Sequence, residues 1–210
     1  VIHIALVDDH AIFRRGVRAL LAEEPDLHLC AEHGSAKDAM RHFETHRCDV
    51  VVLDVDMPGQ NGFEALNELR DRFPWLRVLL LSFHPEAQYG VRALRLGAAA
   101  YVCKADAEHH LVPALRAIAA GRHFVTPVVA TQLATRARDG RVNARPHERL
   151  SDREFQVLHL LVIGKTNADI AAGLSLSPKT VSTYRTRIME KLAVASSADL
   201  VRYAIEHDLV

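Results

Sequence analysis

The chain has 210 residues, an ordinary globular composition and a formal net charge of zero, which excludes a global electrostatic bias toward nucleic acid or membrane. No apolar run approaches the roughly 20 residues of a membrane span, so no membrane partner is expected. Charge divides the chain: residues 1–122 carry 14 basic and 17 acidic groups, residues 123–210 carry 12 and 9.

Val1 to Val7 run straight into a strand pattern, not into a signal peptide. Short apolar runs at Ile2–Val7, Leu27–Ala31, Val50–Leu53, Val78–Leu81 and Ala100–Val102 predict buried strands. Amphipathic stretches lie between them: Ile12, Val17, Leu20 and Leu21 recur at helical spacing, as do Phe63, Leu66, Leu69 and Phe73. Five strands alternating with five helices predict an α/β unit, a flavodoxin-like five-stranded parallel sheet of order 2-1-3-4-5. Pro113 falls where the fifth helix should already run, so that helix is expected to start late or kink. Three cysteines, Cys30, Cys48 and Cys103, form no pair motif and are expected to be reduced, buried thiols, as in a cytoplasmic protein. His109 and His110 are expected at the surface.

A short helix is expected after Pro127, and Arg138–Arg149 is charged, holds Gly140 and Pro146, and predicts an exposed linker. Residues 150–210 predict a second, all-α unit of four helices. Ser151 with Glu154 and Thr166 with Asp169 form capping boxes, and Leu150 with Phe155 forms a hydrophobic staple. Gly164 stops the first helix and Gly173 the second; Ser177 caps a long helix starting at Pro178 and ending near Leu192. A last helix is expected from Ser197 to Glu206.

The chemistry lies at strand ends. Asp8 and Asp9 end the first run, Asp54 the third, Ser82 the fourth and Lys104 the fifth. In an open parallel sheet these ends share one edge, where ligands bind. Clustered carboxylates repel unless a cation joins them, which points to a divalent metal and a phosphoryl group. Pro58, Gly59 and Gly62 predict a turn that leaves the Asp54 strand end open. An Asp54 carboxylate so placed can form an aspartyl-phosphate. Asp9, with Asp8, is the expected holder of the metal, Lys104 a point charge for a phosphate oxygen, and Ser82 a hydrogen-bond donor to the phosphoryl group.

The motifs LVDDH (6–10), VVLDVDMPGQNG (51–62), LLLSFH (79–84) and LGAAAYVCKADA (96–107) resemble a response-regulator receiver domain, across the whole of residues 1–122. The resemblance implies Mg²⁺, or Mn²⁺, on Asp8, Asp9, Asp54 and the backbone carbonyl of Asp56. It implies phosphorylation of Asp54 by a sensor histidine kinase, with Ser82 as switch hydroxyl, Tyr101 as switch aromatic and Lys104 as phosphate-binding lysine. Tyr101 is expected to turn into the space that Ser82 vacates. The Asp56 side chain is an added acid, expected to face solvent. The surface of the fourth and fifth helices often dimerises in that family.

On the helix from Pro178, Val181, Tyr184, Ile188 and Leu192 share one face, and the opposite face is polar and basic. Small hydroxyls among basic groups suit a DNA groove: basic side chains contact phosphates and hydroxyls read base edges. Residues 150–192 look like a LuxR-type helix-turn-helix, and the match extends through Val210; KTVSTYRTR is similar to the BvgA and GacA branch. The resemblance implies base contacts from Ser182, Thr183 and Thr186, and phosphate contacts from Lys179, Thr180, Arg185, Arg187 and Lys191. This near-neutral unit implies modest binding by one copy, with dimerisation through Leu200, Val201 and Ala204 supplying the rest.

Together the two resemblances imply a NarL/FixJ-class response regulator: receiver 1–122, linker 123–149 and DNA-binding domain 150–210. It is expected to be a phosphorylation-controlled, DNA-binding transcription regulator of a bacterial two-component system, a homodimer on double-stranded DNA or when phosphorylated, with RNA polymerase as a further candidate partner. It is not expected to turn over external substrates. The enzyme alternative is a haloacid-dehalogenase-type phosphatase, since Asp54-Val55-Asp56 imitates the Asp-x-Asp of that family. The acid pair Asp8–Asp9 preceding the nucleophile strand argues against it.

Overall fold

The computed structural model describes residues 1–57, 60–138, 145–207 and 209. Pro58 and Gly59 of the expected turn, and 139–144 of the expected linker, lie outside the described residues. Two compact units emerge, Val1–Thr135 and Arg136–Val210.

In the first unit five parallel strands, β1 (Ile2–Val7), β2 (Leu27–His33), β3 (Val50–Asp54), β4 (Arg77–Ser82) and β5 (Ala100–Cys103), form one sheet of order β2-β1-β3-β4-β5. Every residue of β3 and β5 is buried, as expected of strands covered on both faces. The covering helices are α1 (Ala11–Ala22), α2 (Ala36–Phe43), α3 (Gly62–Arg72), α4 (Glu86–Arg95) and α5 (Ala107–Ala119). Order reverses beside β1, so the ends of β1 and β3 flank the crevice at the switch point.

Three expectations change. Ile12 is 86 % exposed and lies outside the apolar face that Val17 and Leu21 bury, because it sits on the first turn of α1 beyond the strand ends. The fifth helix does not start late: it begins at Ala107 and carries Pro113 inside. Proline there removes the hydrogen bond to the carbonyl of His109. Pro113 and His109 are both exposed, so water can replace the lost donor. Residues from His123 onward, expected as linker, begin as part of the first unit. Phe124 bridges Ala100, and helix α6 (Pro127–Arg138) buries Val129 against Gly90 and donates a 2.7 Å hydrogen bond from Gln132 Nε2 to the carbonyl of Ala87.

In the second unit a short 3-10 turn (Pro146–Arg149) precedes α7 (Asp152–Val162), α8 (Asn167–Gly173), α9 (Pro178–Leu192) and α10 (Ser197–Glu206). Both capping boxes form, and Ser177 Oγ accepts from the Thr180 amide. Leu150 and Phe155 of the staple are buried, and Gly164 adopts the left-handed conformation that ends α7. Phe155, Leu158, Ile170, Val181, Ile188 and Leu192 make the core. Leu200 and Ala204 join it at 2 % and 0 % exposure, so the large apolar side chains on the outer surface of α10 are Val201 and Ile205, not the expected trio.

Among the described residues no helix is long and apolar enough to cross a membrane.

Candidate functional site

Four strand ends meet. Asp8 follows β1, Asp54 ends β3, Ser82 ends β4, and all three are 0 % exposed. Lys104 follows β5 in a 3-10 turn that precedes α5, and its side chain is wholly covered. Its Nζ lies 2.7 Å from Asp8 Oδ2 and 3.0 Å from Asp54 Oδ2. The ring of Phe13 lies 4.7 Å and that of Phe83 4.9 Å from the same ammonium. Asp9 is partly exposed at the rim.

Sequence reasoning missed His10. Its Nδ1 sits 2.9 Å from Asp9 Oδ1, 3.3 Å from Asp8 Oδ1 and 3.9 Å from Asp54 Oδ2. Ligand atoms of Asp8, Asp9, His10 and Asp54 all lie within 4.8 Å of one another. Asp8 Oδ2, Asp9 Oδ1 and Asp54 Oδ2 are buried and make no hydrogen bond; charge contacts alone reach them. Three carboxylates facing one lysine leave a negative excess, and clustered carboxylate oxygens suit a hard divalent cation. Burial is the main force pushing the Asp54 carboxyl up to about 6; Lys104 opposes it and Asp8 adds to it.

The side chain of Asp56 does not simply face solvent. Its Oδ2 accepts a 2.9 Å hydrogen bond from Ser82 Oγ, and its Oδ1 lies 3.0 Å from His84 Nε2. The His84 amide donates to Ser82 Oγ at 3.1 Å. Ser82 is thus held by a carboxylate other than Asp54. Tyr101, only 3 % exposed, donates its hydroxyl to the carbonyl of His84 at 2.9 Å, and burial raises its phenol well above the usual value. The expected inward turn of this ring therefore starts from a ring already inside. The signal for this network was present: Asp56 and His84 each stand two residues beyond a site residue on neighbouring strands.

In the second unit Thr166 and Ser177 cap α8 and α9, which makes a helix-turn-helix with α9 as its second helix. Lys179, Ser182, Thr183, Thr186, Arg187 and Lys191 are exposed on α9, while Thr180 and Arg185 are half-buried. The hydroxyls of Ser182, Thr183 and Thr186 donate back to the carbonyls of Pro178, Lys179 and Ser182, so each presents acceptor lone pairs outward. Ser182 also receives Asn167 Nδ2 at 3.1 Å. Two of the basic residues are engaged: Arg185 donates to Ser197 Oγ, and Lys191 Nζ lies 2.6 Å from Oε2 of Glu154, which is 3 % exposed. That lysine holds the Glu154 carboxyl below its ordinary value against the effect of burial.

Known proteins carry the same two parts. The family model "Response regulator receiver domain" matches residues 4–116, and "Bacterial regulatory proteins, luxR family" matches residues 148–204. The response regulator GacA of Pseudomonas viridiflava is 35 % identical over 209 residues, covering 100 % of this chain and 98 % of that one. The response regulator UvrY of Escherichia coli (strain K12) is 31 % identical over 208 residues, covering 99 % and 95 %. A solved complex of the two-component response regulator RcsB with DNA is 25 % identical, with TM-score 0.61 over 96 % of each chain. The chain belongs to the two-component response regulators of the NarL/FixJ family, a receiver domain joined to a LuxR-type helix-turn-helix.

Proposed function

We propose that Asp54 accepts a phosphoryl group from a sensor histidine kinase and that the acyl phosphate controls DNA binding by α9. One observation carries this reading: a buried carboxylate at the end of β3, 3.0 Å from a lysine ammonium and facing two further acids. An Asp54 oxygen attacks the phosphorus of a phosphohistidine; the P–N bond breaks, and the imidazole leaves with the electron pair. Asp8, Asp9, Asp54 and the Asp56 carbonyl would hold a Mg²⁺ or Mn²⁺ ion, which would supply charge neutralisation between carboxylate and phosphoryl group. Lys104 exchanges part of its contact with Asp54 for a phosphoryl oxygen. Ser82 then releases Asp56 and donates to the phosphoryl group, and the Tyr101–His84 contact follows the moving β4–α4 loop. This is a local electrostatic change biasing a two-state surface.

DNA binding rests on α9, with Lys179 and Arg187 the basic groups free to reach phosphates and Thr183 and Thr186 central on the exposed face. RcsB has been solved bound to DNA, and as dimers on DNA; by likeness this chain binds double-stranded DNA as a dimer. A kinase donor and a DNA target together imply a cytoplasmic protein.

Acetyl phosphate with Mg²⁺ should label the protein at Asp54, and Asp54→Asn should carry no label at that peptide. Label retained at the wild-type level would overturn the acceptor assignment. Lys179→Ala should weaken binding to all DNA sequences and reduce the salt slope by about 1, whereas Thr183→Ala should change sequence preference more than overall affinity; a filter-binding salt titration on specific and random duplexes separates them. Asp56→Ala releases Ser82 from one hydrogen bond of about 1 kcal/mol. Roughly fivefold tighter phosphorylation-dependent DNA binding is expected, measured as the shift in half-saturating protein concentration; an unchanged midpoint would reject the restraint.

A further inference from the structure

We propose that Cys30 and Cys48 form a reversible intramolecular disulfide, a modification site for hydroperoxides at the end of the sheet opposite Asp54. The two thiols are 18 positions apart in sequence, and the structure brings their sulfurs to 3.1 Å. A strand irregularity achieves this. Ile4 pairs with Leu29 and Ala5 with Ala31, so Cys30 is the extra, unpaired residue of a bulge in β2. Bulges re-aim a side chain, and here Cys30 Sγ reaches across to donate to the carbonyl of Ile4 at 3.2 Å. Ile4 pairs on its other side with Val50 of β3, two residues after Cys48. Cys48 thus approaches from the flank of β1 opposite to Cys30, just before β3 begins. A disulfide bond is about 2.05 Å, so the sulfurs stand about 1 Å beyond bonding distance.

The pair is asymmetric in the way such a reaction needs. Cys30 is exposed, against the expectation of a buried thiol, because the bulge turns it out of the strand pairing, whereas Cys48 is buried. Cys48 is only 3 % exposed, which shields it from solvent oxidants. Cys30 reacts first: its sulfur attacks one peroxide oxygen, the O–O bond breaks, and a sulfenic acid forms with release of water. The Cys48 sulfur then attacks the Cys30 sulfur; the S–S bond forms, the S–O bond breaks, and the departing hydroxide takes the Cys48 proton as a second water. Two thiols and one hydroperoxide give one disulfide and two waters when the peroxide is hydrogen peroxide. In a reducing compartment such a bond is a transient, redox-sensing one. It fastens the edge strand β2 to the approach of β3 and encloses α2, which restrains the unfolded chain.

The test uses the full reduced chain, treated with a small excess of hydrogen peroxide, quenched, then unfolded in N-ethylmaleimide and mapped by mass spectrometry. The expected result is loss of two of the three free thiols: the Cys30 and Cys48 peptides are joined and lighter than their sum by two hydrogens, with Cys103 alkylated. Dithiothreitol should restore all three. A thermal midpoint higher by about 5 °C in the oxidised protein is expected from the closed loop. Cys30 found as sulfinic acid, linked to a second chain, or fully alkylated beside alkylated Cys48 would overturn the proposal. In Cys48→Ser, Cys30 should stop at the sulfenic acid and be trapped by dimedone. If that variant fails to fold, the wild-type map still decides.

Discussion

Gly62→Ala is expected to destabilise the receiver by about 3 kcal/mol and to abolish most labelling of Asp54. Gly62 opens α3 behind the Asn61 cap, and its amide donates to the carbonyl of Val55 at 3.0 Å. A Cβ there would stand 2.4 Å from the carbonyl oxygen of Asp54 and 2.7 Å from Cα of Val55. Both are backbone atoms of the strand that presents the acceptor, so no side chain can swing away. Either α3 leaves β3, exposing Phe63, Leu66 and Leu69, or the backbone of Asp54 shifts and its carboxylate with it. The control is Gly16→Ala. Gly16 lies inside α1 with nothing within 4 Å of an added Cβ, and alanine there should stabilise by roughly 0.5–1 kcal/mol. Urea unfolding of the two variants reads opposite signs for the same chemical change; equal effects would reject the close-approach account.

Asp54→Asn should stabilise the metal-free protein by about 2–3 kcal/mol at pH 7.5, the linkage value of a carboxyl raised from 3.8 to about 6. The native carboxyl holds its proton more tightly than the unfolded one. Between about pH 4 and pH 6 the folded state therefore binds more protons, and the contribution of Asp54 to stability falls as pH rises through that window. Above it the penalty is complete; below it the penalty vanishes. The gain from asparagine should be full at pH 7.5 and shrink toward zero near pH 4. Denaturant midpoints in EDTA across that range check it, and a gain independent of pH would mean that charge burial is not its source. Added Mg²⁺ should narrow the gap by stabilising the wild type alone.

Strand periodicity, capping boxes and the left-handed stop at Gly164 were legible because they are local. A buried parallel strand needs a continuous apolar run, and a helix start needs a side-chain acceptor three residues ahead of an acid, whatever the partners are. The convergence of Asp8, Asp54, Ser82 and Lys104 was also legible, since a parallel sheet places successive strand ends on one edge. What was not legible depends on which non-local neighbour a side chain finds. Asp56 could face solvent or hold Ser82, and only the paired ends of β3 and β4 decide. Lys191 could meet a phosphate or a buried glutamate, and the packing of α7 against α9 supplies the glutamate.

The order of apolar runs, caps and glycine stops determined two units and their elements, because those signals act within a few residues. Tertiary structure alone decided that Gly62 touches the backbone of Asp54, that Leu200 and Ala204 are core instead of surface, and that a one-residue bulge in β2 carries Cys30 to Cys48. Each of these depends on contacts between segments far apart in the chain, where displacement by a single residue reverses the face of a strand that a side chain occupies and turns it by about 100° on a helix.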